Sequence, residues 1–249
     1  QEVQMPKQGE IDYIKNSDPQ TMLHALNKPF SDINCQRELF RIGALMSLLP
    51  PPPAKLLDLG CGTGWTSRFF ARRGYEVVGV DIAPDMIELA NRKKMGSKIQ
   101  NLKHIVSDYE SLAFRSEFDC AIFYDSLHHA ENEYIALSSV FQALKPGGCV
   151  ITAEPGKGHQ DSTTSKNAIE KYGVTEKDMP PKKIINIGRK IGFTSFSIFP
   201  DPDYCLQFYK HKKRFYTGLK SKLYLFFNLF KLSNDYNGLV LMIKNTKSQ

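Results

Sequence analysis

KLLDLGCGTGW, residues 55–65, is the stretch whose reading decides how this chain folds. A short apolar run, KLLDL, ends in three glycines spaced two apart: Gly60, Gly62 and Gly64. Apolar runs of this length bounded by turn residues read as buried strands. A helical pattern then runs through Thr66–Arg73. Glycine at such a strand-to-helix junction lets the backbone turn tightly and approach a ligand without Cβ collisions.

The same alternation continues downstream. YEVVGV (75–80) reads as a strand and APDMIELANRKK (83–94) as a helix, with Pro84 suited to its first turn. LKHIV (102–106) and FDCAIFYD (118–125) are β-prone, ENEYIALSSVFQALK (131–145) is amphipathic, and CVITAE (149–154) is again a strand. Pro180-Pro181 opens a helix to Lys190, and FTSFSIF (193–199) and GLVLMIK (238–244) supply two last strands. Strands alternating with helices, in apolar runs that suit burial on both faces, predict a doubly wound α/β fold. The expectation is a mostly parallel seven-stranded sheet with helices on both faces.

Upstream, apolar residues between 33 and 49 recur at helical spacing, and Pro50 to Pro53 stop that helix. Residues 1–20 are polar with Pro and Gly and read as a loosely ordered lead-in. We divide the chain into an N-terminal lid or helical segment (1–53) and a main domain (54–249), with 201–236 as an insertion or flap before the last strand.

The chain has 249 residues, 41% hydrophobic and 24% charged, ordinary for a soluble globular protein. Its five cysteines show no CxxC spacing, so no zinc site or redox dithiol is suggested, and free thiols fit a reducing, cytoplasmic setting. The net charge of +7 comes from the C-terminal region. From Cys205 onward nine Lys or Arg face one acid, Asp235, which leaves residues 1–204 close to neutral.

Polar residues gather at the predicted strand ends. Asp81 ends the second strand, twenty-one residues after Gly60. An acid so placed can accept hydrogen bonds from both hydroxyls of a ribose. The third strand ends in Ser107-Asp108-Tyr109 and the fourth in Tyr124-Asp125-Ser126. Ligands of open α/β sheets bind beyond these carboxyl ends.

Over roughly residues 55–200 these motifs, with the ALKPGG turn at 143–148, resemble the class I S-adenosylmethionine-dependent methyltransferases. The resemblance implies that Asp58, Gly60, Cys61, Gly62 and Gly64 cradle the methionine part of the cofactor. It implies that Asp81 holds the ribose, that Ile82 and Met86 pack on adenine, and that Asp108 and Tyr109 meet its amino edge. Tyr124 and Asp125 complete the cofactor set. It also implies a lid from the residues before the first strand, with Tyr13, Phe30 and Asp32 as candidates. The DSLHH and EPGKGH segments are similar to bacterial methyltransferases associated with glycosyltransferases.

Methyl transfer to a hydroxyl gains from a base that removes its proton. His128 and His129 follow the fourth strand, and Glu154 and His159 follow the fifth. These four are the catalytic candidates, beside the structural reading in which such histidines shape a pocket or cap a turn. Asp125, His128, Glu154 and His159 are chemically able to bind a metal, but their spacing does not argue for one. The chain lacks the Asn/Asp-Pro-Pro-aromatic motif of amino-methylating DNA enzymes of this fold.

The expected reaction is S-adenosylmethionine-dependent methyl transfer to a small-molecule or glycan hydroxyl. Three alternatives remain open here: a nicotinamide-dependent oxidoreductase, an RNA methyltransferase using the basic 204–232 segment, and a non-catalytic cofactor-binding module. LYLFFNLF within 204–232 is too apolar for a simple phosphate patch, which favours peripheral membrane contact over nucleic acid, beside a helical insert packed on the domain. Replacing Asp81 with Ala should remove a charged acceptor worth roughly 1.5–3 kcal/mol. Calorimetry with S-adenosylmethionine should then read an affinity loss of about 10- to 150-fold.

Overall fold

A computed structural model describes residues 7–201 and 238–246. KLLDL forms β1 (Lys55–Leu59), and the glycines turn the chain into α4 (Trp65–Arg73). Three helices precede them: α1 (Gln8–Asp12), α2 (Pro19–Asn27) and α3 (Cys35–Leu48). After them come β2 (Glu76–Asp81), α5 (Pro84–Ser97), β3 (Leu102–Val106) and β4 (Phe118–Tyr124). A single 3-10 turn, Leu127–His129, leads to α6 (Glu133–Ala143) and β5 (Leu144–Glu154). The remainder is α7 (Thr163–Tyr172), α8 (Pro181–Ile191), β6 (Phe193–Pro200) and β7 (Gly238–Lys244).

The seven strands form one sheet in the order β3-β2-β1-β4-β5-β7-β6. β1 pairs in parallel with both β2 and β4, so the chain's winding reverses at that central pair. β7 runs antiparallel to both its neighbours. The sheet is therefore mixed, parallel in all its pairings but those two.

Apolar side chains on the two faces of the sheet pack into two cores. One joins Leu57, Phe123 and Val150 to α6 and α8 through Leu137, Val140, Ile184 and Ile185. The other joins Leu56, Ile122 and Ile151 to α3 and α4 through Ile42, Leu45 and Phe70. Helices on both faces explain why the strands read as unbroken apolar runs rather than alternating ones.

The structure corrects several boundaries. The polar N-terminal stretch is not a loose lead-in throughout: residues 8–12 and 19–27 are helical. Asp18 accepts the Thr21 N–H and Pro19 sits in the first turn, an ordinary helix start that short length and a weak apolar pattern obscured. The 131–145 helix stops at Ala143, and Pro146-Gly147-Gly148 belong to an extended β5 instead of the turn before it. α7 has Ser162 capping its start and Gly173 (φ 68°) its end, and was not anticipated. The predicted insertion 201–236 lies outside the described residues except for Asp201.

Asp201 is buried at the end of β6, where it accepts hydrogen bonds from Nε (2.7 Å) and Nη2 of Arg41. Arg41 on α3 is 1% exposed and also reaches Asp125 Oδ2 through Nη1 at 3.1 Å. The guanidinium thus joins three distant pieces of chain. Burial disfavours its charge, and the Asp125 and Asp201 carboxylates more than reverse this, raising its pKa. Arg41→Ala should leave the Asp201 carboxylate buried without its guanidinium and cost about 3–5 kcal/mol. Chemical denaturation should read this as a lowered midpoint with an unchanged slope.

Candidate active site

The reversal between β1 and β4 opens a cavity of about 440 Å³ at the carboxyl ends of the strands. Its floor is the glycine loop. Gly60 has φ +68°, and a Cβ there would lie 2.6 Å from that of Ser126, so the backbone of β1 meets the end of β4 with no room for a side chain. Gly62 has φ +51° with open space where its Cβ would stand. That space leaves room for a ligand against the loop's backbone.

Asp81, at the end of β2, reaches into the cavity wall. Its Oδ2 accepts the Gly62 N–H at 2.8 Å and its Oδ1 the Ala83 N–H at 3.0 Å. Burial raises its pKa, and these two donors pull it partly back. Each oxygen keeps a further lone pair, the pattern needed to accept two vicinal hydroxyls. Ile82, Met86, Asp108 and Tyr109 line the cavity beside it. The Asp108 carboxylate takes the Lys7 ammonium at 2.6 Å and the Glu110 N–H at 2.8 Å. Tyr124 and Asp125 line the opposite side. The Tyr124 hydroxyl donates to Glu38 at 2.5 Å, and Asp125 adopts φ 45° beside Arg41.

Two expected cofactor residues stand apart from the wall. Asp58 is buried beneath the loop, where it accepts hydrogen bonds from Thr66 (2.6 Å) and Ser67 (2.5 Å) and ties β1 to the first turn of α4. Burial pushes its pKa up to about 6, against those hydroxyls. Gly64 is the N-cap of α4 with φ 69°, closed from behind by His104. Both act on the loop's shape from outside the cavity.

The catalytic candidates do come together. The His128 and His129 rings are 4.0 Å apart, and the His128 and His159 rings 5.0 Å. His128 Nδ1 meets Glu154 Oε2 at 2.7 Å, and Glu154 also accepts the backbone N–H groups of Ser126, Leu127 and His128. Of the four, only His129 lines the cavity; His128, His159 and Glu154 are not part of its wall. His129 is joined on the wall by Glu176, which the sequence reading missed. Glu176 Oε2 is 2.6 Å from His159 Nε2 and 3.7 Å from His128 Nε2.

Burial pulls the His129 pKa down, but the Glu10 hydrogen bond and charge, then Glu176 and the Thr175 carbonyl, raise it to about 9. Burial raises the pKa of Glu176, and the hydrogen bond from His159 with the three imidazoles overcomes this and lowers it.

The N-terminal helices cover the cavity. Lys7, Glu10 and Tyr13 reach it from around α1, and Thr21, His24 and Ala25 from α2. Glu10 accepts the Thr175 N–H at 2.7 Å, and the Thr63 hydroxyl donates to the Ala25 carbonyl at 2.7 Å. Of the three lid candidates only Tyr13 lines the cavity, stacked edge-on against Tyr172. Phe30 is exposed, and Asp32 accepts the Asn34 N–H instead. Lys7, Glu10 and Glu176 sit outside any motif, and nothing in their local sequence marks them.

Comparison with known proteins agrees with this geometry. Residues 57–152 match a family model described as a methyltransferase domain. A ubiquinone biosynthesis O-methyltransferase of Xanthomonas campestris pv. campestris (strain B100) is 30% identical over 135 residues, 53% of this chain and 52% of that protein. The match therefore spans about half the length of that curated relative. The Haemonchus contortus phosphoethanolamine N-methyltransferase 2, solved with S-adenosyl-L-methionine, superposes with TM-score 0.61 at 21% identity, covering 82% of this chain and 52% of that one. The [4+2]-cyclase SpnF shares the fold with TM-score 0.59 at 17% identity, covering 86% and 83%. Residues 57–152 of the chain thus match a methyltransferase domain, on a fold shared with solved S-adenosylmethionine-dependent methyltransferases. The loop cradle over Gly62 and the paired acceptor oxygens of Asp81 fit that cofactor.

His104 under the loop has a pH consequence. It is buried, its Nε2 has no hydrogen-bond partner among the described residues, and burial with the nearby Arg68 and Lys94 charges lowers its pKa to about 4. Its neutral form is favoured by folding, so its contribution is intact above about pH 6.5 and lost as the pH falls toward 4. The linked loss should approach about 3 kcal/mol. Urea midpoints at pH 7.5 and 4.5 should therefore diverge less in His104→Gln than in the wild type.

Proposed function

We propose that this chain transfers the methyl group of S-adenosylmethionine to a hydroxyl of a small, ring-bearing molecule. One observation carries the reading: Glu176 and His129 stand together on the wall of the same cavity that presents Gly60, Gly62 and Asp81. The fold alone would not assign this chemistry, since a [4+2]-cyclase uses it too. The curated relatives named O-methyltransferases support a hydroxyl acceptor. Tyr13, Tyr124, Ala168 and Val174 add apolar lining suited to a flat ring.

In this reading the loop at Gly60–Gly64 holds the methionine part and Asp81 the ribose hydroxyls. Ile82 and Met86 pack on the adenine, with Asp108 and Tyr109 at its edge. When bound, the cofactor supplies an electrophilic methyl on a sulfonium. The protein's part is alignment, which can replace much of the entropic barrier of a two-molecule reaction. Helices α1 and α2 exclude water over the cavity. Glu176 accepts the acceptor's hydrogen bond and then its proton, and His129 holds the oxygen beside it. Glu154 orients His128, and His159 backs Glu176; these three are positioning residues.

The test is a panel of phenols, aliphatic alcohols and sugars incubated with S-adenosylmethionine, read by mass for a gain of one methyl group. A phenolic or other small hydroxyl should be methylated. His129→Ala and Glu176→Gln should lower kcat by about 10²- to 10⁴-fold while leaving cofactor affinity in place. Binding of NADH with no binding of S-adenosylmethionine would overturn the reading, as would methylation confined to amines.

A further inference from the structure

The geometry points to a divalent transition-metal site at the cavity wall, formed by His128, His129 and Glu176, with Zn²⁺ its foremost occupant. The ligand-bearing atoms of these three side chains all lie within 4.8 Å of one another. This set differs from the one the sequence brought to mind, because Asp125 is engaged by Arg41 and Glu154 lies behind His128.

The hydrogen bonds around the two imidazoles decide which nitrogen is free. His128 Nδ1 faces Glu154, a carboxylate that already accepts three backbone N–H groups and so takes Nδ1 as a fourth donor. That leaves the lone pair of a neutral His128 on Nε2, which lies 3.7 Å from Glu176 Oε2. The separation is too long for a hydrogen bond. It is close to the roughly 3.4 Å edge of a tetrahedron whose ligands stand about 2.0–2.1 Å from a central ion. His129 Nδ1 faces the Thr175 carbonyl at 2.6 Å, and a carbonyl can only accept. Its Nε2 therefore also carries the lone pair when the ring is neutral. Imidazoles pinned through one nitrogen by a carboxylate or a backbone carbonyl are the usual form of histidine ligands.

The remaining contacts suit an ion as well. His159 Nε2 stands 2.6 Å from Glu176 Oε2, where it can donate to a ligating carboxylate from outside the coordination sphere. Glu10, Glu154 and Glu176 bring three carboxylates to three imidazoles, a surplus of negative charge that a dication would offset. Two nitrogens and one oxygen suit Zn²⁺, Co²⁺ or Fe²⁺ and disfavour Mg²⁺ and Ca²⁺, which prefer oxygen alone. Three protein ligands leave a fourth position open. Because His129 and Glu176 both line the cavity, an ion held by them would border the space proposed for the acceptor. A hydroxyl bound there would lose its proton more readily, and Glu176 would then act as a ligand in place of base.

The site is tested without cofactor or acceptor, so its failure is separate from that of the proposed methyl transfer. The full chain is stripped with EDTA, desalted and titrated with ZnCl₂ by calorimetry near pH 7. Saturation at one ion per chain is expected, with a Kd of about 1 μM or tighter. CoCl₂ should give visible ligand-field bands of a four-coordinate N/O site without the intense near-ultraviolet band of cobalt–thiolate bonds. The near-isosteric Glu176→Gln should weaken Zn²⁺ binding by at least about 100-fold, and Glu154→Gln by about 10- to 100-fold. Both should keep the wild-type circular dichroism, which separates lost ligation from lost folding. Two results overturn the site: no saturable Zn²⁺ binding by the wild type, or equal affinity in Glu176→Gln. In either case the cluster is a proton-filled hydrogen-bond network only.

Discussion

The contact between Gly60 and Ser126 is the constraint from which the rest of the site follows. β1 and β4 are neighbours, yet the chain leaves them in opposite directions along the sheet, toward β2 and toward β5. Their carboxyl ends must come close enough to hydrogen-bond and still part to make a crevice. A side chain at position 60 would stand 2.6 Å from Ser126 Cβ, so glycine is required there. The Ser126 hydroxyl then closes the gap by donating to the Leu59 carbonyl at 2.7 Å. With the floor closed in this way, Gly62 is left under open space and Asp81 is carried to its side.

A second layer of structure holds the walls. Arg41 ties α3 to the end of β6 and to Asp125, while Glu38 on the same helix takes the Tyr124 hydroxyl. α3 thus positions Tyr124 and Asp125 at the end of β4, although none of its own residues lines the cavity. On the far side, Glu154 gathers three backbone N–H groups and His128. Such buried charges are costly unless fully paired, and here they are paired with groups from distant parts of the chain. The result is a rigid end to β4 and β5, where chemistry on a bound molecule needs fixed geometry.

In the proposed reading, the His-Glu cluster lets one wall serve binding, proton movement and ligation with the same atoms. His129 and Glu176 face the cavity, and the groups behind them set their orientation. Glu10 reaches the same histidine from the N-terminal helices, so the cover over the cavity and the state of its wall are electrostatically linked.

Local sequence was enough for the strands and the glycine loop. An apolar run followed by glycines at 60, 62 and 64, and acids at the ends of short strands, are signals carried within a few residues. Backbone sterics and strand burial act over that range. The strand GLVLMIK was legible in the same way, but its antiparallel insertion between β5 and β6 was not, because pairing partners are chosen by the whole sheet. The histidines could be singled out from their place after β4 and β5. That only His129 reaches the cavity, with Glu176 beside it, depended on how the turn after β4 packs against the segment between α7 and α8. Glu10 and Lys7 likewise gain their partners from more than a hundred residues away along the chain, His129 and Asp108. Which side chains meet across such distances is set by the packing of α1, α7 and the strand ends, and no local pattern encodes it.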